Sequence, residues 1–303
     1  MRLASLHKVK FFFLLTGLML LLAACQSGVT QTDSNLTPSP TLTTGTVATS
    51  TSALPTATSE PLAIKVNDTG ITQAEYQAEL GRFETAAGHE PDEAEKQRVM
   101  NELINQELLA QDAINNGFSM DEAALQKRYD TLALEMGGQE LLDNWMAANG
   151  YTPETFRTAL KRGALAAMMR DKIVTSVPTT AEQVHARQIL FKDATQAAQT
   201  QAQLQSGADF AELAGQADPL GGGDLGWFPR GYLLHPELET VFDLQPGEIS
   251  TVIQTEVGFH ILQVIERDPQ RALDPQALMQ LQEQALVNYL AERRSQSQIE
   301  IYP

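Results

Sequence analysis

Apolar residues recur every three or four positions along most of residues 72–176, which is the spacing of an amphipathic helix. The clearest run lies between residues 93 and 115. Helix starts are marked by Thr72 and Ser119, each three positions before a glutamate, and by Thr152 before a first-turn proline. The pattern predicts a block of several helices that ends near residue 176.

The pattern changes after residue 180. Stretches of strand-forming residues, with helices and a glycine-rich loop between them, lie at residues 186–191, 249–253 and 259–265. A last helix is predicted from Asp274 to about Arg294, and a closing strand near Ile299. A helical block is thus followed by a part that mixes strands with helices, and the fold class expected for the chain is α+β.

The first 25 residues have the pattern of an export signal. Arg2, Lys8 and Lys10 precede an apolar run at residues 11–22, which is short for a membrane span and ends in small residues. The sequence Leu22-Ala23-Ala24-Cys25 resembles a bacterial lipobox, and this resemblance implies that Cys25 is lipidated and becomes the mature N-terminus. An uncleaved N-terminal anchor helix is the alternative. Cys25 is the only cysteine, so no disulfide can form within the chain.

Residues 26–61 differ in composition from the rest of the chain. Threonine, serine and proline make up 21 of these 36 residues, with no aromatic residue and only Asp33 and Glu60 charged. Such a segment cannot bury enough apolar surface to offset its conformational entropy, so we predict a disordered tether.

The net charge limits the class of partner. The chain carries a formal charge of −17, and removal of the basic signal would make it more negative. This charge repels nucleic acid, so no nucleic-acid partner is expected. Sequence signatures of serine hydrolases, zinc proteases and EF-hands are absent as well.

The segment from Gln188 to Arg267 resembles the parvulin family of peptidyl-prolyl isomerases. Five motifs in the family's order carry the resemblance, at residues 186–191, 207–214, 222–228, 244–250 and 258–262. The last of them is Gly258-Phe259-His260-Ile261-Leu262. The resemblance implies one parvulin module with a four-stranded antiparallel sheet.

The flanking sequence starts with Val66-Asn67, contains Leu103-Ile104-Asn105-Gln106-Glu107-Leu108-Leu109 in its helical block, and ends in a predicted helix and strand. With these features it resembles the SurA and PrsA foldases. This second resemblance implies a mostly helical chaperone domain built from both sides of the parvulin module, in which the strand near Ile299 pairs with a strand near Ile64. The domains expected from both resemblances are a signal at 1–25, a tether at 26–61, a helical domain at 62–180, the parvulin module at 181–268, and a returning helix and strand at 269–303.

The parvulin resemblance also assigns site residues. The family's polar cluster corresponds to Gln188, Asp218, Val257 and His260, and its proline pocket to Leu233, Leu238 and Phe242. Two of these positions depart from the family pattern, because Gln188 replaces a histidine and Val257 has no hydroxyl group. His185 lies three positions before Gln188, where strand alternation points it to the opposite face. Asp218 precedes Pro219 and equally fits a turn.

Rotation about an X-Pro bond needs no nucleophile, metal or cofactor. The barrier of about 18–20 kcal/mol falls when a site favours the twisted form of the amide, which an apolar pocket and a few fixed dipoles can do. The expected partners are therefore unfolded exported polypeptides with X-Pro bonds, and the membrane through the lipid anchor. A chaperone without isomerase activity and a solute-binding lipoprotein are the alternatives.

Overall fold

A computed structural model describes residues 60–303 of the protein. The predicted signal, the predicted lipidation site Cys25 and all but the last two residues of the predicted tether therefore lie outside the described residues. Among residues 60–303, no helix is both long enough and apolar enough to cross a membrane.

The first half of the described chain is a short hairpin followed by five helices. The hairpin consists of β1 (Leu62–Val66) and β2 (Thr69–Thr72). The helices are α1 (Gln73–Ala87), α2 (Glu93–Asn115), α3 (Glu122–Glu135), α4 (Gln139–Ala148) and α5 (Pro153–Thr175). The predicted helical block is confirmed.

Side-chain caps fix most of these helix starts. Thr72 accepts a hydrogen bond from the backbone N–H of Glu75, and Thr152 forms the reciprocal capping box with Thr155. The predicted start at Ser119 is wrong, because Asp121 accepts the N–H of Ala124 and caps α3 instead. Aspartate at this position is as good an N-cap as serine, and it lies two residues closer to the apolar run.

The second half contains the parvulin-like module and the returning segment. Its elements are β3 (Thr180–Phe191), α6 (Ala194–Gln205), α7 (Phe210–Ala217), β4 (Asp224–Pro229), a 3-10 helix (Pro236–Asp243), β5 (Ile253–Thr255), β6 (Gly258–Ala272), α8 (Pro275–Ser295) and β7 (Ile299–Ile301). Strands β4, β3, β6 and β5 form, in that order, a four-stranded sheet whose neighbours are all antiparallel. The expected α+β fold with a four-stranded antiparallel sheet is confirmed.

The strand predicted at residues 249–253 is largely absent. Ile249 makes one isolated bridge to Gln263, and β5 begins only at Ile253. The reason lies at Ser250, whose hydroxyl accepts the N–H of Leu262 at 2.9 Å in place of a strand carbonyl. A side chain thus replaces the regular backbone ladder at this point.

The closing strand returns to the start of the domain, as expected. β7 pairs with β1 in antiparallel register, with Ile64 opposite Ile301. The helix before it, α8, is tied to α2 by Asp112, which is buried and accepts a hydrogen bond from Tyr289 at 2.8 Å. Arg293 forms an ion pair with the same carboxylate at 2.6 Å. Burial, followed by the bond to Asp112, raises the pKa of Tyr289 to about 12.

The two faces of the four-stranded sheet pack on different elements. One face holds Ile189 and Ile261 against α6 and α7. The other holds Val184 and Leu262 against the 3-10 helix. Because Gln188 lies opposite Leu262, and Leu190 lies opposite His260, the side chains of Gln188 and His260 share the second face.

Candidate active site

His260 is the centre of a buried polar network on that second face. Only 3% of the residue is exposed. Its Nδ1 lies 3.0 Å from Oε1 of Gln188 on β3, and its Nε2 lies 2.9 Å from the hydroxyl oxygen of Thr255 on β5. We call Gln188, His260 and Thr255 the His260 network. The structure therefore brings together two of the three predicted catalytic residues.

The network matches the neutral form of the imidazole ring. The Gln188 oxygen can only accept, so Nδ1 donates to it, and the Thr255 hydroxyl donates to the unprotonated Nε2. Burial lowers the pKa of His260, and the neighbouring His235 and Lys192 lower it further. One donor and one acceptor on the ring are thus both satisfied.

Thr255 is a site residue that the sequence analysis missed. Gly258 lies opposite Thr255 across a two-residue turn, and Ile253 lies opposite His260, so Thr255 and His260 share one sheet face. The spacing of five residues around a glycine-containing hairpin was the available signal. Thr255 supplies the hydroxyl group that Val257 lacks, and Val257 contributes only its backbone, which donates to Thr255 at 3.2 Å.

Asp218 lies at the end of α7, where its carboxylate holds the glycine-rich loop. Its oxygens accept the backbone N–H groups of Leu220 at 3.2 Å, Gly221 at 3.1 Å and Gly223 at 3.2 Å. The bonds from Gly221 and Gly223 lower the pKa of this carboxyl group. Among residues 60–303 it makes no hydrogen bond to the His260 network. A catalytic role for Asp218 stays a prediction.

Gly223 links this loop to Gln188. Its carbonyl accepts the backbone N–H of Gln188 at 2.8 Å, while its own N–H donates to Asp218. Its φ is +70°, and a Cβ atom here would lie 2.0 Å from the carbonyl oxygen of Gln188. Only glycine allows this approach, so the loop fixes the backbone position from which Gln188 reaches His260.

The predicted proline pocket residues lie on the same face of the sheet. Leu238 and Phe242 are 5% and 2% exposed and pack with Phe228, whereas Leu233 is only partly buried. Leu233 is therefore the member of the set that a bound chain could reach without rearrangement. The assignment of all three to a proline pocket stays a prediction.

Two arginines hold the 3-10 helix that carries Leu238 and Phe242. Arg267 donates to the carbonyl oxygens of Phe242 and Leu244, both at 2.6 Å. The guanidinium of Arg230 lies 4.4 Å from the centroid of the Phe242 ring, the distance of a cation–π contact. The contacts of Arg267 hold the C-terminal end of the 3-10 helix against β6.

The two other histidines of this module lie in different places. His185 binds Asp224 at 2.8 Å and packs beside Trp227, on the face opposite Gln188 as the alternation predicted. His235 begins the 3-10 helix, and its ring centroid lies 6.2 Å from that of His260. The sequence analysis missed His235, because its approach depends on how a loop packs onto the sheet.

Comparison with known proteins finds two domain families along the chain. Residues 168–268 match the PPIC-type PPIase domain, and residues 42–170 match the SurA-like N-terminal domain. The chain is 34% identical to the foldase protein PrsA of Geobacillus kaustophilus over 96 residues, which are 30% of this chain and 34% of that protein. It is 27% identical to PrsA of another Geobacillus species over 221 residues, which are 69% and 73% of the two chains.

The chain also matches SurA sequences and a solved structure of PrsA. The chaperone SurA of Nitrosococcus oceani is 32% identical over 140 residues, which cover 39% of this chain and 33% of SurA. The match thus spans about a third of that relative's length, as it does for the first PrsA. A crystal structure of PrsA from Bacillus cereus aligns with 75% of this chain and 84% of that one, at 20% identity and a TM-score of 0.41. The two domain matches show that the chain combines a parvulin-type peptidyl-prolyl cis-trans isomerase domain with a SurA-like N-terminal domain, and the curated sequences that it resembles include PrsA and SurA foldases.

Proposed function

We propose that the chain is a membrane-anchored extracytoplasmic foldase that binds unfolded exported proteins and catalyses cis/trans isomerisation of their X-Pro bonds. The observation that carries the proposal is the complete His260 network, in which Gln188 takes the place of the family's histidine and still bonds to His260. Glutamine keeps the hydrogen bond but cannot become positively charged. Shape and dipoles are therefore retained at this position, while charge is not.

A twisted X-Pro bond needs an apolar surface for the proline ring and a polar group near the reacting amide. In this proposal the ring contacts Leu233, with Leu238 and Phe242 as the floor beneath it. The His260 network lies on the same sheet face as this floor. No covalent step and no cofactor are required.

The isomerase part of the proposal is tested with an Ala-Pro peptide in an assay without protease. The wild-type chain is expected to accelerate isomerisation above the uncatalysed rate, and His260→Ala and Leu233→Ala are expected to reduce the acceleration. A wild-type rate equal to the uncatalysed rate would leave the non-enzymatic chaperone, whose suppression of client aggregation would then be unaffected by His260→Ala.

The anchor is tested separately, since it depends on Cys25 alone. Two or three acyl chains on one residue bind a bilayer stably, whereas a single chain binds only marginally. We therefore expect the wild-type chain to incorporate a labelled fatty acid in cells and Cys25→Ala not to incorporate it. A wild-type chain without the label would contradict the lipid anchor. The clients in this proposal are unfolded exported chains with X-Pro bonds.

A further inference from the structure

Both ring nitrogens of His260 are already engaged within the protein. Nδ1 is bonded to Gln188 and Nε2 to Thr255, and the residue is 3% exposed. Breaking either bond would leave a buried polar atom without a partner, which is unfavourable because the atom has also lost its contact with water. In this arrangement His260 organises the site but has no free ring nitrogen to offer to a substrate.

His235 is the neighbouring group with such a nitrogen. Its ring lies 6.2 Å from the His260 ring, inclined by 47°. The residue is half-buried, so its ring is partly open to solvent. Within the described chain, residues 60–303, its side chain makes no hydrogen bond and no salt bridge. An imidazole with unused hydrogen-bonding capacity therefore lies beside His260, in a partly open position.

The backbone holds His235 firmly in this position. Pro236 follows it, which restricts His235 to extended conformations, and its φ and ψ are −109° and 107°. Its carbonyl accepts the N–H of Leu238 at 3.0 Å, which starts the 3-10 helix. The preceding loop is bound to α8, because Gln280 donates to the carbonyl of Tyr232 at 2.7 Å. The ring thus projects from a fixed point.

Two charged groups from two parts of the chain lie around this position. Glu237 on the 3-10 helix and Lys192 after β3 both act electrostatically on His260, in opposite directions. Lys192 donates to the carbonyl of Val257 at 2.7 Å, so it is already engaged with the backbone. His235 is consequently a donor close to His260 that no other group of residues 60–303 engages.

We propose that His235 is a further catalytic residue, which contacts the X-Pro segment of the substrate and donates a hydrogen bond to it from a ring nitrogen. This inference rests on the proposed isomerase function. When the X-Pro bond twists, the lone pair of the proline nitrogen is no longer delocalised into the carbonyl group and can accept a hydrogen bond. A donor placed there binds the twisted form better than the planar one, which is the requirement for catalysis.

The test compares three full-length variants with the wild-type chain in the isomerisation assay. His235→Phe keeps an aromatic ring but removes both nitrogens, His235→Gln restores a donor, and His185→Phe is the matched control on the opposite face of the sheet. We expect kcat/KM to fall about five- to tenfold in His235→Phe, as for loss of one neutral hydrogen bond. The loss should be smaller in His235→Gln and absent in His185→Phe. Unchanged kcat/KM in His235→Phe would overturn the inference.

A second measurement tests the contact without relying on turnover. The histidine ring signals of the full-length chain are followed by NMR while an Ala-Ala-Pro-Phe peptide is added, with each ring assigned by substitution. The His235 signals should move with saturation and the His185 signals should not; peptide binding without any movement of His235 would overturn the contact. If the wild-type chain binds but shows no catalysis, the proposed function fails, while this titration still decides whether His235 touches the substrate.

Discussion

Thr255→Val removes one hydroxyl group from the His260 network and changes little else in shape. The lost oxygen lies 2.9 Å from Nε2 of His260 and also accepts the N–H of Val257 at 3.2 Å. Val257 is 40% exposed, so water can replace its bond, but His260 is 3% exposed and its nitrogen would remain without a partner. Leaving such a buried group unsatisfied costs about 1–3 kcal/mol. We expect the free energy of unfolding to decrease by that amount.

The same substitution should also slow isomerisation. Without the Thr255 bond the imidazole ring is held only through Gln188, and a loss of about 1.4 kcal/mol in the transition state corresponds to about a tenfold fall in kcat/KM. Urea unfolding and the peptide assay measure the two effects, with Thr255→Ser as the control that keeps the hydroxyl. A valine variant with the wild-type unfolding midpoint and wild-type kcat/KM would refute the assignment of Thr255 to the network.

Two further predictions concern the loop and the pH dependence. Gly223→Ala should lower the free energy of unfolding by more than the ~1–2 kcal/mol that a left-handed backbone conformation alone costs a residue with a side chain. It should also reduce activity, because the new Cβ atom would lie 2.0 Å from the carbonyl oxygen of Gln188. Gly222→Ala, with φ +60° and open space around it, is the control in denaturant unfolding, and equal losses in both would contradict the close approach. Burial lowers the pKa of His260 in the folded chain, so its ring binds a proton more readily in the unfolded chain. The stability that His260 contributes is therefore complete above about pH 6.5 and is lost as the pH falls below that value. The free energy of unfolding of the wild type should fall more steeply with decreasing pH, between about pH 5 and 7, than that of His260→Gln. Parallel pH dependence in the two chains would count against the lowered pKa.

Local patterns accounted for the helices because those helices are fixed by local interactions. The apolar run predicted at residues 93–115 coincides with α2, which Asp92 and Glu95 close with a capping box. The strands were harder to delimit. β3 begins at Thr180, six residues before the predicted start, because its polar first half is ordered by pairing with the distant end of β6. Pairing of that kind leaves little periodicity in either strand alone.

The site residues likewise differ in whether the sequence alone could predict them. The parvulin resemblance assigned Gln188 and His260 to one polar cluster, and the two residues do bond to each other from the adjacent strands β3 and β6. The 3-10 helix that carries His235 is positioned by Arg267 and by the loop's bond to α8, which are contacts between residues far apart in sequence. No spacing within residues 230–243 encodes those contacts. His235 therefore became visible only in the folded chain.

The most direct test of the account is the cis-to-trans exchange rate of an Ala-Pro peptide, measured by NMR exchange spectroscopy with the wild-type chain and with Gln188→Leu. Leucine has a similar size but cannot accept the hydrogen bond from His260 Nδ1. The account predicts exchange above the uncatalysed rate for the wild type and a loss of about tenfold or more in the catalysed part for the variant. An inactive wild type, or a Gln188→Leu chain as active as the wild type, would contradict it.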